Sequence, residues 1–558
     1  MRAPKLLVAV LLAGTVACGD LEVTNPNNPG RVTVVRSSQD ALALITNGLR
    51  QWLIVSGGTE PGIALSVMAD EYTTGFADFG GQDLSAEPRA AINIQNPSNG
   101  PPHHDAFPDY FGNIAALNTA LQAVANFDLV LRDASGQDVT TEAVAYAKFL
   151  QGLNHGYVAL MFDKAYVYPE TIDPDTLQFI GGATGVQNLI RPYQEVMDTA
   201  LSQLGVALDI ANSEDFSFPS TVPNQWFLGV AQTNEDLARI IHTYIARFMV
   251  YLARNPQDRQ NVDWETVIEH IDQGIQSDFF VVGVPGQVGS LFKQRAARLR
   301  SAAPGDFMRV DYRVVGPADV TDGFMDWYAL AWSQRNPYEM VGTPDQRIVG
   351  APERPVTCLP TSGSNAVPDE DCGLYMGFHQ STLYSPARGT GQRSFYFFHR
   401  YGSGTSWENG PLPLVNMAEM DLLKAEGLIR LDRADEAIPL INTYREANGG
   451  LPPVDINGVP GTAPDCVPRK LDGSCGSLWD ALRYEKRIET LGLEGGPAYY
   501  DARGWNFLVE NTPIHFPIPL RDLELLTIEP YTFGGLGGAD GAPPPNPEQC
   551  PVALPRCP

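Results

Sequence analysis

Residues 477–505 read SLWDALRYEKRIETLGLEGGPAYYDARGW. Ala481, Tyr484, Ile488 and Leu491 recur at steps of three and four, which puts them on one face of an amphipathic helix. The charges off that face are unusual. Arg483 and Arg487 are like charges four apart, and so are Glu485 and Glu489. In an isolated helix each such pair repels by roughly 0.2–0.5 kcal/mol. A sequence that accepts two of them satisfies each charge from elsewhere. Asp501 and Arg503, just past the Gly495-Gly496-Pro497 turn, are the obvious partners in the chain. A solvated charged face is the simpler account, and charge density alone favours it.

Upstream lies a helical hairpin, Leu414 to Leu431 and Asp432 to Asn448, with Gly449-Gly450 ending its second arm. Ala418, Leu422, Ala425 and Ile429 face Ile438, Ile441 and Tyr444, a pattern similar to a tetratricopeptide repeat. Pro439 should kink the second helix or delay its start, because it removes a backbone donor. Downstream, Thr512 to Leu520 (TPIHFPIPL) is expected to be extended, since each Pro restrains its predecessor.

Earlier helices are expected at about Ser38 to Val55, Pro108 to Asn126, Thr141 to Phe162, Pro192 to Asn212, Asn234 to Arg254 and Asp263 to Gln276. The third has two packing faces, one of them carrying Gly152 and Gly156. Gly costs about 0.8–1 kcal/mol against Ala in a helix interior, so two of them imply close backbone approach.

Glu485, Arg487, Glu489, Glu494, Gly495, Asp501, Arg503 and Trp505 together resemble the C-terminal signature of the SusD/RagB family. Pro497 stands where that family commonly has an Arg nearby. Phe107, Phe111, Ile114, Asn118 and Leu121 match the family's spacing of Trp, Tyr, Ile, Asn and Leu, with Phe at both aromatic positions. The Pro517-Ile518-Pro519 segment matches as well. The resemblance implies a surface lipoprotein that captures a nutrient and sits on a TonB-dependent (SusC-like) transporter. It also implies that the 485–505 block is a scaffold clasp without chemistry.

The N-terminus agrees with export. Arg2 and Lys5 precede the apolar Leu6 to Leu12, and Thr15-Val16-Ala17 forms a small-residue exit, so residues 1–17 read as a signal peptide. Cys18 then stands where a lipoprotein's first, acylated residue belongs, and 18–30 is anchor and tether. No later run reaches the roughly 20 apolar residues of a membrane span. Of seven cysteines, the six after Cys18 fall into close sequential pairs, Cys358-Cys372, Cys466-Cys475 and Cys550-Cys557. Exported chains permit disulfides, and the clustering favours these local pairings over the other connectivities. The rival, a metal site, lacks CxxC spacing and nearby His.

Lys and Arg number 38 against 65 Asp and Glu, a formal net charge of −27. Such a surface repels nucleic acid and anionic lipid headgroups. Acidic ligands are poor candidates too unless a local basic patch exists, and the sequence shows no basic run.

The expected architecture is mainly α: tetratricopeptide-like helix pairs with long irregular loops and a few short β-hairpins, over residues 31–532. A variable loop region spans about 283–411, and 533–558 is a Gly/Pro-rich tail. Aromatic residues in the loops are the candidate ligand contacts. Trp327, Tyr328 and Trp332 could form a flat platform for sugar rings, and Phe76, Phe79 and Phe107 a second cluster. Ordinary core packing is the competing account of both.

No catalytic residues are indicated. There is no Gly-x-Ser-x-Gly, His-Glu-x-x-His or P-loop, no cofactor is implied, and His103-His104-Asp105 reads as a loop turn and not a metal site. The expected function is capture of an oligosaccharide or peptide at the outer-membrane surface and delivery to the transporter. A surface glycosidase and a tetratricopeptide-type protein scaffold are the alternatives.

Overall fold

The computed structural model describes residues 35–57, 59–74, 80–87, 89, 103–172, 187–220, 226–283, 308–335, 341–351, 353–354, 356, 372–378, 394–401 and 410–531. Its framework is a row of helices: α1 (Ser38–Thr46), α2 (Gly48–Ser56), α3 (Ala106–Phe127), α4 (Thr140–Met161), α5 (Tyr193–Ser213), α6 (Asn234–Tyr251), α7 (Trp264–Asp272), α8 (Met417–Arg430), α9 (Ala434–Ala447), α10 (Leu478–Glu489) and α11 (Pro497–Gly504). From α3 to α9 each helix packs on the next in sequence, and α8 also packs on α10. This is the stacked-pair architecture expected from the sequence. Among the described residues, strands occur only as five two-stranded antiparallel pairs.

Helix α4 is the spine. It touches α3 on one side and α5 on the other, and all but a few of its residues are buried. Its glycines permit that. A Cβ on Gly152 would lie 2.7 Å from the Leu204 side chain and 2.9 Å from the Ala200 carbonyl oxygen; one on Gly156 would lie 2.2 Å from the Phe248 ring. Gly156→Ala is therefore expected to destabilise by about 1–3 kcal/mol of overpacking, despite Ala's higher helix propensity. A urea titration followed by circular dichroism would show the lowered midpoint, whereas a rise would contradict the close approach.

Several expectations need correction. The first helix is two, broken at Asn47, where the chain turns and the Gly48 carbonyl accepts from Asn113 Nδ2 at 3.0 Å. Between α2 and α3 the chain forms a turn of π-helix at Thr59–Ile63, a helix at Ala64–Met68 and a strand at Tyr72–Thr74. Leu414 lies in the strand Gly410–Val415, paired with Phe279–Gly283; the helix begins only after Asn416, whose side chain accepts from Glu419 N. Pro439 does not delay α9, which already starts at Ala434.

Of the expected disulfides, Cys466–Cys475 is formed. Cys372 is also disulfide-bonded, while Cys358, Cys550, Cys557 and the lipidation candidate Cys18 lie outside the described residues. No helix among the described residues is long and apolar enough to cross a membrane.

Candidate functional site

The block at 485–505 is buried except at Arg487 and Trp505, which are half-buried, and this overturns the solvated-face account. Helix α10 starts on a capping box in which Ser477 accepts from the Asp480 backbone and Asp480 accepts from that of Ser477. Ala481, Ile488 and Leu491 are fully buried, and so are Glu485, Lys486 and Glu489. The two acids do not repel across a wet surface. One guanidinium, Arg347, lies between them, with Nη1 2.5 Å from Glu485 and 3.0 Å from Glu489 and Nη2 2.7 Å from Asp345. Arg445 takes the other oxygen of Glu485 at 3.1 Å, and Tyr375 donates to Glu489 at 2.7 Å.

The partners predicted within the block are different from those observed. Asp501 is held by Lys486 at 2.9 Å and Arg259 at 2.7 Å, not by the arginines of α10. Arg503 donates to the carbonyls of Leu160, Tyr251 and Ile514. Arg487 donates through Nη2 to the carbonyls of Ala69 and Asp70. Trp505 donates to Glu426, which also binds Arg259. The signature residues thus tie α10 and α11 to the layers around Arg347, around Arg259 and Glu426, and to the main chain of α4 and of Ala69 and Asp70.

The wider network was missed by sequence reasoning. Glu419 and Glu426 of α8 are seven apart on its core-facing side, where they meet Arg247 and Arg259 at 2.7 and 2.6 Å. Acids on an apolar stripe were the available signal. Arg347 carried none, since it sits in a stretch without helical period.

Beside this network lies a cavity of about 450 Å³. Helix α10 gives it Trp479, Asp480, Arg483, Tyr484 and Arg487, and α11 gives Asp501 and Ala502. Trp505 and Phe507 follow. The loop closed by Cys466–Cys475 contributes Pro468 to Asp472, and the opposite wall has Arg313, Phe324 and Tyr328. Trp479 and Trp505 stand nearly edge to face, 6.1 Å apart at 75°. Arg483 lies 4.1 Å over Phe507 and pairs with Asp480; Arg313 donates to the Tyr328 hydroxyl at 2.8 Å. Flat rings interleaved with fixed charges suit a ring-bearing polar ligand.

Because the disulfide ring forms one wall, replacing Cys466 and Cys475 together by Ser should loosen that wall. The stability loss should stay within about 3 kcal/mol for so short a ring. Thermal melting with and without reductant measures it; an unchanged melting temperature would exclude the staple role.

Burial sets the electrostatics here. Desolvation pulls the Arg487 guanidinium below its ordinary value, opposed by Asp70, Asp311 and Glu71. Asp311 is pushed up to about 8, by burial first and by Asp70 second. Burial would raise Asp70 as well, but Arg89, Arg313 and Arg487 outweigh it and hold the carboxyl low.

Of the aromatic candidates among the described residues, only Tyr328 lines the cavity. Trp327 is on the same short helix, Gly323–Ala329, but is buried against Tyr312 at 4.8 Å. Trp332 follows in a 3-10 turn and is half-buried. Phe107 is fully buried among Phe111, Phe162 and Tyr166, its ring faces occupied by protein. Phe76 and Phe79 lie outside the described residues. His103 is stacked on Phe516 at 5.1 Å, and no group of three or more metal-ligating side chains occurs among the described residues.

Neither a protein-family model nor a curated protein matches this sequence. Solved structures do. A SusD superfamily protein from Bacteroides vulgatus ATCC 8482 superposes with a TM-score of 0.50 at 14% identity, covering 89% of this chain and 99% of that one. A SusD/RagB family protein from Bacteroides thetaiotaomicron VPI-5482 gives 0.49 at 13% identity, covering 87% and 94%. At such identity the likeness to the first is one of fold: this chain has the SusD fold.

Proposed function

We propose that this SusD-fold chain is a nutrient-capturing surface lipoprotein. It binds an oligosaccharide or peptide without covalent chemistry and passes it to a TonB-dependent, SusC-like transporter in the outer membrane. The observation that carries the reading is the cavity of about 450 Å³ built against the cross-linked 485–505 block. It falls within the roughly 300–1,000 Å³ usual for small-molecule sites, and its walls are fixed by buried ion pairs and a disulfide. The export signal and Cys18 support the location: an acylated Cys would hold the chain to a membrane that none of its described helices can cross.

Pull-down of the full-length lipoprotein from native membranes tests the partner. A large β-barrel should co-purify; recovery of the chain alone, or with soluble proteins only, would favour the scaffold alternative. Incubation of the soluble form with a glycan panel tests the chemistry. Released reducing ends above a buffer control would make it a glycosidase, and none are expected.

A further inference from the structure

The chain as a whole is strongly acidic, yet the cavity is not. Five cations line it, Arg313, Arg469, Lys470, Arg483 and Arg487, against three carboxylates, Asp472, Asp480 and Asp501; Arg469 is paired with Asp322 and Arg313 with Asp70 and Glu87 outside the lining. The carboxylates are committed unevenly. Asp480 serves Arg483. Asp501 lies between Arg259 and Lys486, cations that do not themselves line the cavity. Arg487 is different: its hydrogen bonds go to two main-chain carbonyls, and its Nε has no hydrogen-bond partner among the described residues. Asp70, Asp311 and Glu71 lie near enough to act on it, but its two hydrogen bonds go to carbonyls and Asp70 is shared with Arg89 at 2.6 Å and Arg313 at 3.2 Å.

We propose that the cavity beside α10 selects an acidic sugar, a hexuronate unit of an oligosaccharide, whose carboxylate is taken by Arg487 and Lys470 while its ring lies against Tyr328, Trp479 and Phe507. This rests on the capture reading above. A guanidinium offers a fork of donors that matches a carboxylate, and it does so more strongly where water is excluded. Sugar is favoured over peptide because, among the described residues, helices and the Cys466–Cys475 loop supply most of the lining and no named strand of two or more residues borders it for a peptide backbone to pair with.

Calorimetry on residues 19–558 with tetragalacturonate and with neutral galactotetraose tests the proposal. The acidic oligomer should bind at least tenfold tighter, and its affinity should fall as salt rises from 0.05 to 0.5 M. Lys470 is exposed, so Lys470→Glu should leave the melting temperature unchanged while weakening tetragalacturonate about tenfold. Arg487→Gln should weaken it further; should that variant fail to fold, Lys470→Glu and Lys470→Gln carry the test. Equal affinity for the two oligomers, or no effect of Lys470→Glu, overturns the proposal. Binding of the neutral oligomer alone would overturn it and leave capture standing. Binding of neither would also overturn it, and capture would then be judged separately by the barrel pull-down.

Discussion

Arg347→Met is expected to lower the unfolding free energy of the soluble chain by about 3–5 kcal/mol, enough to leave it partly unfolded at growth temperature. The reason is geometric. Asp345, Glu485 and Glu489 all lie within 3.0 Å of that one guanidinium, and all four side chains are fully buried. Removing one partner of a buried ion pair costs about 3–5 kcal/mol, because the charge left behind has neither water nor counter-ion. Here three carboxylates lose their common cation. Arg445 still supports Glu485, and Arg400 and Tyr375 still support Glu489, which keeps the loss from tripling. The comparison is Arg433→Ala, an exposed arginine paired with exposed Glu436, which should leave the urea midpoint unchanged. Similar midpoints for the two variants would show that the buried network does not hold α10. Since α10 also walls the cavity, ligand affinity should fall in Arg347→Met even where the chain remains folded.

The same residues show what a sequence can carry. Glu485 and Glu489, like charges four apart, correctly signalled an unusual demand for counter-charge. They did not signal where it would come from, because Arg347 lies 138 residues from Glu485 in sequence. Helix periodicity encodes local geometry, so α3 to α9 were legible to within a few residues. Long-range ion pairs leave no periodic trace. The cavity shows the same divide. Arg487, Asp501 and Trp505 were named as structural, and they line it. Tyr328 was named as a ligand contact and lines it too, but its neighbour Trp327 turns inward against Tyr312. An aromatic run on a short helix has an inner and an outer side, and composition cannot say which is which. Phe107 failed for a related reason: at the first turn of α3 its ring closes a core layer instead of opening onto a groove.

The second large effect depends on pH and isolates a single buried histidine. His155 sits in the middle of α4, fully buried, with Nδ1 3.0 Å from the Gln151 carbonyl. Burial drives its pKa down to about 4, with Lys148 adding slightly and Gln151, Gln203 and Glu170 opposing. The native imidazole is therefore neutral across most of the acid range, whereas in the unfolded chain it titrates near 6.5. Below about 6.5 the unfolded state binds one proton more than the native state. That costs the native state about 1.4 kcal/mol for each pH unit, until the native group itself protonates near 4. Leucine has no proton to gain. His155→Leu should thus be within about 1 kcal/mol of the parent at pH 8, since the Gln151 carbonyl remains in the helix ladder. At pH 5 it should be more stable than the parent by about 2 kcal/mol relative to that baseline. Urea titrations of both proteins at pH 8, 6.5 and 5 give the difference directly, and other titrating groups cancel between them. A difference that stays flat with pH would mean that His155 takes up its proton in the folded protein as readily as in the unfolded one. The α4 layer, on which α3 and α5 both rest, would then have to admit water or a counter-charge at its centre.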